Sequence, residues 1–264
     1  MNIQGMDPSA RSAGSYKISL LRNLVSYNIS RNTLIPFLSI TETWLKPYIL
    51  DAQVSIPDYN IFRSDRRSRI RGGALLYIHE SIPVINSESF DDQICEGVVC
   101  TSSRKRIIAS LYRPPKSAHQ SFCNLIDFLE TYIKKVCSNS PEHYQIIVTG
   151  DLNFPDISWE DLSAENCLSE NRGSAQYLLS FMSRFLLTQY VNIATRESNV
   201  LDLLITNDPN LVQHCSSEGT IMSDHNCISI MSSDFLSSKN PQSCHENKDE
   251  LNFQKLNYHR ADFN

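Results

Sequence analysis

No apolar run in the 264 residues is long enough to cross a bilayer. Residues 1–17 have neither the apolar segment nor the basic start of a secretory leader. No membrane association is therefore expected, and the expected location is intracellular, nucleus or cytoplasm. The eight cysteines form no Cys-x-x-Cys pair. That argues against a structural zinc site or a disulfide framework and leaves buried free thiols as the expectation. Excess positive charge is also lacking, with 24 Lys and Arg against 29 Asp and Glu for a net charge of −5. Binding nucleic acid by bulk charge alone is thereby excluded, so any grip on a polyanion must come from local basic patches. No internal repeat of fixed short period is present.

What is present is enough chain for a sizeable core and an ordinary globular composition. Residues 1–14 are polar and form no convincing strand. Ile18, Leu21, Leu24 and Val25 recur at helical spacing and predict an amphipathic helix over 17–27. Phe122, Leu125, Ile126, Leu129, Ile133 and Val136 predict a second, and residues 173–187 a third. Short apolar runs at 37–40, 145–148, 200–206 and 227–231 read as buried strands, and 97–114 reads as a hairpin turning near Ser103. Residues 15–232 form the expected folded unit, and 233–264 a polar linker or tail. Strands interleaved with helices imply two sheets packed face to face with helices outside, an α/β sandwich.

Polar groups at strand exits are the candidates for chemistry. Asp151 and Asn153 follow the run at 145–148, a pair suited to a metal ion, a water or a phosphate oxygen; an Asx-type turn is the plain alternative. Glu42 repeats the pattern after residues 37–40. Asp202 lies inside an apolar run, where an unpaired carboxylate is costly, so it needs a partner. His225, preceded by Asp224 and followed by a strand, is the natural one: a carboxylate on one ring nitrogen fixes the tautomer and frees the other. Five arginines at 63, 66, 67, 69 and 71 make a loop that either grips a phosphate backbone or is a solvated hairpin. Tyr112 and Arg113 stand at the exit of 106–112; Tyr112 either caps the core or joins the site.

These segments carry a resemblance. ITETWL, RGGALLYI, ASLYRPP, VTGDLNFPDISW, VLDLLIT and SDHNCISI occur in the order and approximate spacing of the endonuclease/exonuclease/phosphatase superfamily. More narrowly, the set is similar to the apurinic-like endonuclease domain of non-LTR retrotransposon (endonuclease-reverse transcriptase) polyproteins. The tail NFQKLNYHRADFN resembles the connector to the reverse transcriptase, which this chain stops short of. The resemblance implies a four-layer α/β sandwich of two mixed sheets, and a Mg²⁺- or Mn²⁺-dependent phosphodiesterase that nicks DNA. By position, Glu42 binds the metal with support from Asp224. Asp151 and Asn153 orient the water and the scissile phosphate, and Asp202 holds His225 as general base or phosphate donor. Tyr112 contacts the phosphate. Arg66, Arg71 and Arg113 are the expected substrate-binding cations, and Ser9 is a further substrate-binding position, standing where the family has an Asn ending its first strand. Residues 2–8 offer no replacement for that strand on this reading, so it is expected to be missing or degraded. Two alternatives follow: an inactive truncated relic, or a small-molecule phosphoesterase of the same superfamily.

Overall fold

The computed structural model describes residues 1–8, 13–68, 71–138 and 144–232. Helix α1 (Ala13–Ser30) is followed by β1 (Phe37–Thr41), the short α2 (Asp51–Val54), β2 (Tyr59–Ser64) and β3 (Ala74–His79). Then come β4 (Val84–Asp91), β5 (Glu96–Ser102), β6 (Arg106–Tyr112), α3 (His119–Cys137), β7 (Gln145–Asp151) and α4 (Ser169–Arg184). The chain ends with β8 (Thr188–Gln189), β9 (Asp202–Thr206), β10 (His214–Glu218) and β11 (Cys227–Met231). The large sheet is mixed, with strand order β4-β5-β6-β7-β9-β8; a smaller one runs β1-β3-β2, and β10-β11 form a separate ribbon.

Successive side chains of each central strand face opposite sides and both sides are covered, which explains their unbroken apolar runs. In β3, Ala74, Leu76 and Ile78 face a cluster shared with Val98, Cys100, Ile108, Tyr112, Ile147 and Leu204 of the large sheet. Leu75 and Tyr77 face the opposite way, against Ile18, Leu21 and Val25 of α1. On the far side of the large sheet, Ile107, Ala109, Leu111, Ile146 and Val148 meet the apolar stripes of α3 and α4. The layers therefore run α1, small sheet, large sheet, α3 with α4: the four-layer sandwich the sequence implies. Among the named strands of the described residues only β6 and β7 run parallel, and α3 is the crossover that such a pair requires.

As expected, no strand stands before α1 among the described residues, but the segment still docks on the small sheet. Residues 1–6 run beside β1: Asn2 forms a parallel bridge with Thr41, Ile3 N–H donates to Thr41 O at 2.8 Å, and Met6 N–H to Thr43 O at 2.7 Å. Ile3 and Met6 are fully buried. Two apolar anchors and main-chain pairing suffice to hold a segment too short and polar to read as a strand. The seven cysteines of the described residues are free, five of them buried. No helix of the described residues is long and apolar enough to cross a membrane. Ser9 and the tail 233–264 lie outside the described residues.

Candidate active site at the shared rim of the two sheets

One line of main-chain pairing assembles the site. Glu96 of β5 stands opposite Tyr112 of β6, Tyr112 opposite Asp151 of β7, and Asp151 opposite Asp202 of β9. Opposed residues on neighbouring strands point to the same face, so four polar side chains enter the inter-sheet space side by side. β9 runs antiparallel to β7, which is why Asp202 begins its strand where Asp151 ends its own.

Asp151 is 1% exposed. Its Oδ1 accepts from the Asn153 side chain at 2.7 Å and from the Asn153 N–H at 3.2 Å, while Oδ2 accepts from Asn2 Nδ2 at 2.8 Å. Burial, and next the charge of Asp202, push its carboxyl well above the usual carboxylate range. Asn153 adopts φ +51°, a left-handed conformation that asparagine tolerates, and this turns its amide back onto Asp151. His225 Nδ1 donates to Asp202 Oδ2 at 2.7 Å, and its Nε2 lies 4.0 Å from Asp151 Oδ2. Burial works against a charge on His225, but the bond and charge of Asp202 outweigh it and raise the imidazole above its ordinary value. Glu42, held at φ +54° just past β1, accepts a hydrogen bond from the Tyr112 hydroxyl.

The donor set fits a divalent cation. Asn2 Oδ1 and Asp202 Oδ1 are buried acceptor oxygens with no hydrogen-bond partner. Ligand atoms of Asp151, Asp202 and His225 lie within 4.8 Å of one another. Clustered acceptors without matching donors are what a hard cation satisfies.

Several expected site residues have other employment. Arg66 is 7% exposed; its guanidinium pairs with Glu96, donates to Ile94 O, and sits 5.9 Å from the Tyr112 ring centroid. Arg113 is fully buried, with Nη1 donating to Leu152 O at 3.1 Å and Asn153 O at 2.9 Å, Nη2 to Asn171 Oδ1 at 2.7 Å, and its plane 4.2 Å from the Phe154 ring centroid. Both cations have partners inside the protein: Arg66 packs Tyr112, and Arg113 clamps the loop that carries Asn153. Arg71 is exposed, 5.9 Å from the Trp44 ring centroid, and stays available to a ligand. Asp224 is not in the close donor group: its Oδ2 pairs with Arg196 at 2.6 Å and its Oδ1 accepts from Gln4 at 2.9 Å.

Sequence reading missed Asn2 and Glu96. The Asn-x-x-Gly start, Asn2 to Gly5, was the available signal for the first. Glu96 had none, since its partner Arg66 lies 30 residues away.

The fold is an AP-endonuclease-like α/β sandwich. Residues 106–229 match a family model described as endonuclease-reverse transcriptase. Among solved structures, the chain is similar to AP endonuclease LMAP from Leishmania major (TM-score 0.61, 15% identity, covering 86% of this chain and 84% of that one). It is also similar to the 3′ phosphatase NExo from Neisseria bound to product DNA hairpin (TM-score 0.62, 13% identity, 86% and 95%). A third similar structure is an AP endonuclease from Archaeoglobus fulgidus (TM-score 0.53, 13% identity, 79% and 92%). At these identities the likeness is one of fold. No curated protein matches the chain.

Proposed function

We propose that this protein is a divalent-metal-dependent phosphodiesterase that nicks DNA, as in retrotransposon target-site cleavage. The observation that carries the reading is the convergence of Asp151, Asp202 and His225, residues 74 positions apart at the extremes, within 4.8 Å. The family match over 106–229 and the DNA bound to the similar Neisseria phosphatase support DNA as the substrate.

Hydrolysis of a phosphodiester needs an oriented water, a proton acceptor, and positive charge on the phosphate oxygens. Asp151, its geometry fixed by Asn2 and Asn153, orients the water and takes its proton. His225, oriented by its bond to Asp202, donates from Nε2 to a non-bridging oxygen. Tyr112, locked between Glu42 and the Arg66 plane, marks the phosphate position. Arg71 on Trp44 tracks the strand outside the reacting phosphate. A cation, Mg²⁺ or Mn²⁺, held by Glu42 with Asp151, Asp202 and Asn2 Oδ1, supplies charge neutralisation when bound.

The alternative of an inactive relic rested on a lost strand and its Asn. Asn2 bridges to Thr41 of β1 and donates to Asp151, which favours the active reading. The test is conversion of supercoiled plasmid to open circles with Mg²⁺. Wild type nicks, and His225→Ala is slower by about 10²- to 10⁴-fold. If both leave the plasmid intact while a known nickase works alongside, the proposal fails.

A further inference from the structure

Thr195 belongs to none of the motifs above, yet it touches Asp202 and the residue next to His225. It is fully buried, in a turn closed by a bridge between Arg196 and Asn199. Its hydroxyl oxygen accepts two main-chain N–H groups, Leu201 at 2.9 Å and Asp202 at 3.1 Å. Its carbonyl accepts the N–H of Asn226, the neighbour of His225, at 2.7 Å. The Asn226 side chain reinforces this attachment, donating to Ala194 O at 3.2 Å and Ser217 Oγ at 2.9 Å. On the other flank, His225 N–H donates to Ser223 Oγ at 3.1 Å. With the 2.7 Å imidazole–carboxylate bond, these contacts close a ring: Thr195 hydroxyl to Asp202 backbone, Asp202 carboxylate to His225, Asn226 back to the Thr195 carbonyl.

The ring answers a mechanical need. Asp202 opens β9 of the large sheet, and His225 precedes β11 of the separate ribbon. No ladder joins these strands, so sheet pairing does not fix how far apart the two side chains stand. A carboxylate orients an imidazole only while both are held to within a fraction of an ångström. Thr195 grips one strand start through its side chain and the other through its backbone.

We propose that Thr195 is a positioning residue for the Asp202–His225 pair, its hydroxyl and carbonyl together gauging the gap between the elements that carry them. The proposal rests on the phosphodiesterase reading for its kinetic consequence, but not for its structural one.

Thr195→Val keeps the shape and removes the acceptor; Thr195→Ser keeps the acceptor and removes the methyl. Steady-state cleavage of a duplex oligonucleotide with Mg²⁺ is measured beside the proton spectrum of the metal-free protein, where the His225 Nδ1 proton bound to Asp202 gives a downfield resonance absent from His225→Ala. The valine variant is expected to lose roughly tenfold to a hundredfold in kcat with KM unchanged, and to lose the resonance, while the serine variant keeps both. A folded valine variant with wild-type kcat and resonance overturns the proposal. So does a serine variant as impaired as valine, or a wild-type spectrum without the resonance. Should valine fail to fold, Thr195→Ala is read by the same criteria; if neither folds, Thr195 serves folding alone and the proposal falls. If wild type cleaves no DNA, the functional reading fails separately and the resonance still decides the role of Thr195.

Discussion

Replacing Gly150 by alanine tests how closely the site depends on the approach of β7 to β6. A Cβ built at Gly150 falls 1.9 Å from Leu111 O and 2.8 Å from Leu111 C, both main-chain atoms of β6. Ordinary contact begins near 3.4 Å, so β7 must retreat by more than an ångström. The φ of +136° adds strain for any side chain. Weakening two or three ladder bonds costs about 1 kcal/mol each, and backbone strain adds ~1–3 kcal/mol, for a total of about 3–6 kcal/mol. That is a large part of the roughly 5–15 kcal/mol that holds a domain together. Gly97→Ala is the control: its Cβ meets Leu125 Cδ1 at 2.8 Å and Leu111 Cδ2 at 2.9 Å, side-chain ends that can rotate away. Overpacking of that kind costs about 1–3 kcal/mol. Urea unfolding followed by circular dichroism gives both values. Should Gly150→Ala prove no less stable than Gly97→Ala, the close approach of the two strands is not as described.

Asn2→Ala removes the donor to Asp151 Oδ2 and should cost about 1–3 kcal/mol in urea unfolding, the range for leaving a buried acceptor short of a partner; no change would mean that Asn2 does not reach the site. Arg113→Lys replaces a fork with a single ammonium that cannot serve Leu152 O, Asn153 O and Asn171 together. A loss of about 1–3 kcal/mol is expected, and a melting curve unchanged from wild type would refute the clamp. Mg²⁺ at ten times its dissociation constant should stabilise the protein by about 1.4 kcal/mol, raising its melting temperature by roughly 3–6 °C. Asp202→Asn should abolish that rise, and an equal rise in the variant would place the cation elsewhere.

The sandwich was legible in the sequence wherever both faces of a strand are covered. β7, β9 and β6 read correctly because continuous burial demands continuous apolar residues. β4 and β10 escaped notice: VINSESFD and HCSSE are mostly polar, because an edge strand wets one face and its pairing leaves no mark in composition. The candidate site divides along similar lines. Asp151, Asp202 and His225 stood out as costly polar groups beside apolar runs, and they converge. The internal partners of Arg66 and Arg113 were not legible, because an arginine's sequence neighbours do not reveal what lies across the core. Glu96 and the carbonyls of Leu152 and Asn153, 30 to 40 residues away, are what take them out of solvent. Asn2 was passed over for a related reason: a segment held by two buried side chains and borrowed pairing carries too few apolar positions to register as a strand.

Because Glu96, Tyr112, Asp151 and Asp202 occupy successive rungs of a single hydrogen-bonded line, their lateral separations are multiples of the interstrand distance, about 4.8 Å each. Inserting or deleting one residue within β6, β7 or β9 turns that strand's contribution to the helix-covered side instead of merely displacing it. Such a protein has two freedoms left: exchanging side chains in place, and lengthening segments such as 113–118 or 152–168 that lie between the rungs. Reach toward different substrates can drift in those segments while the reacting groups keep their spacing.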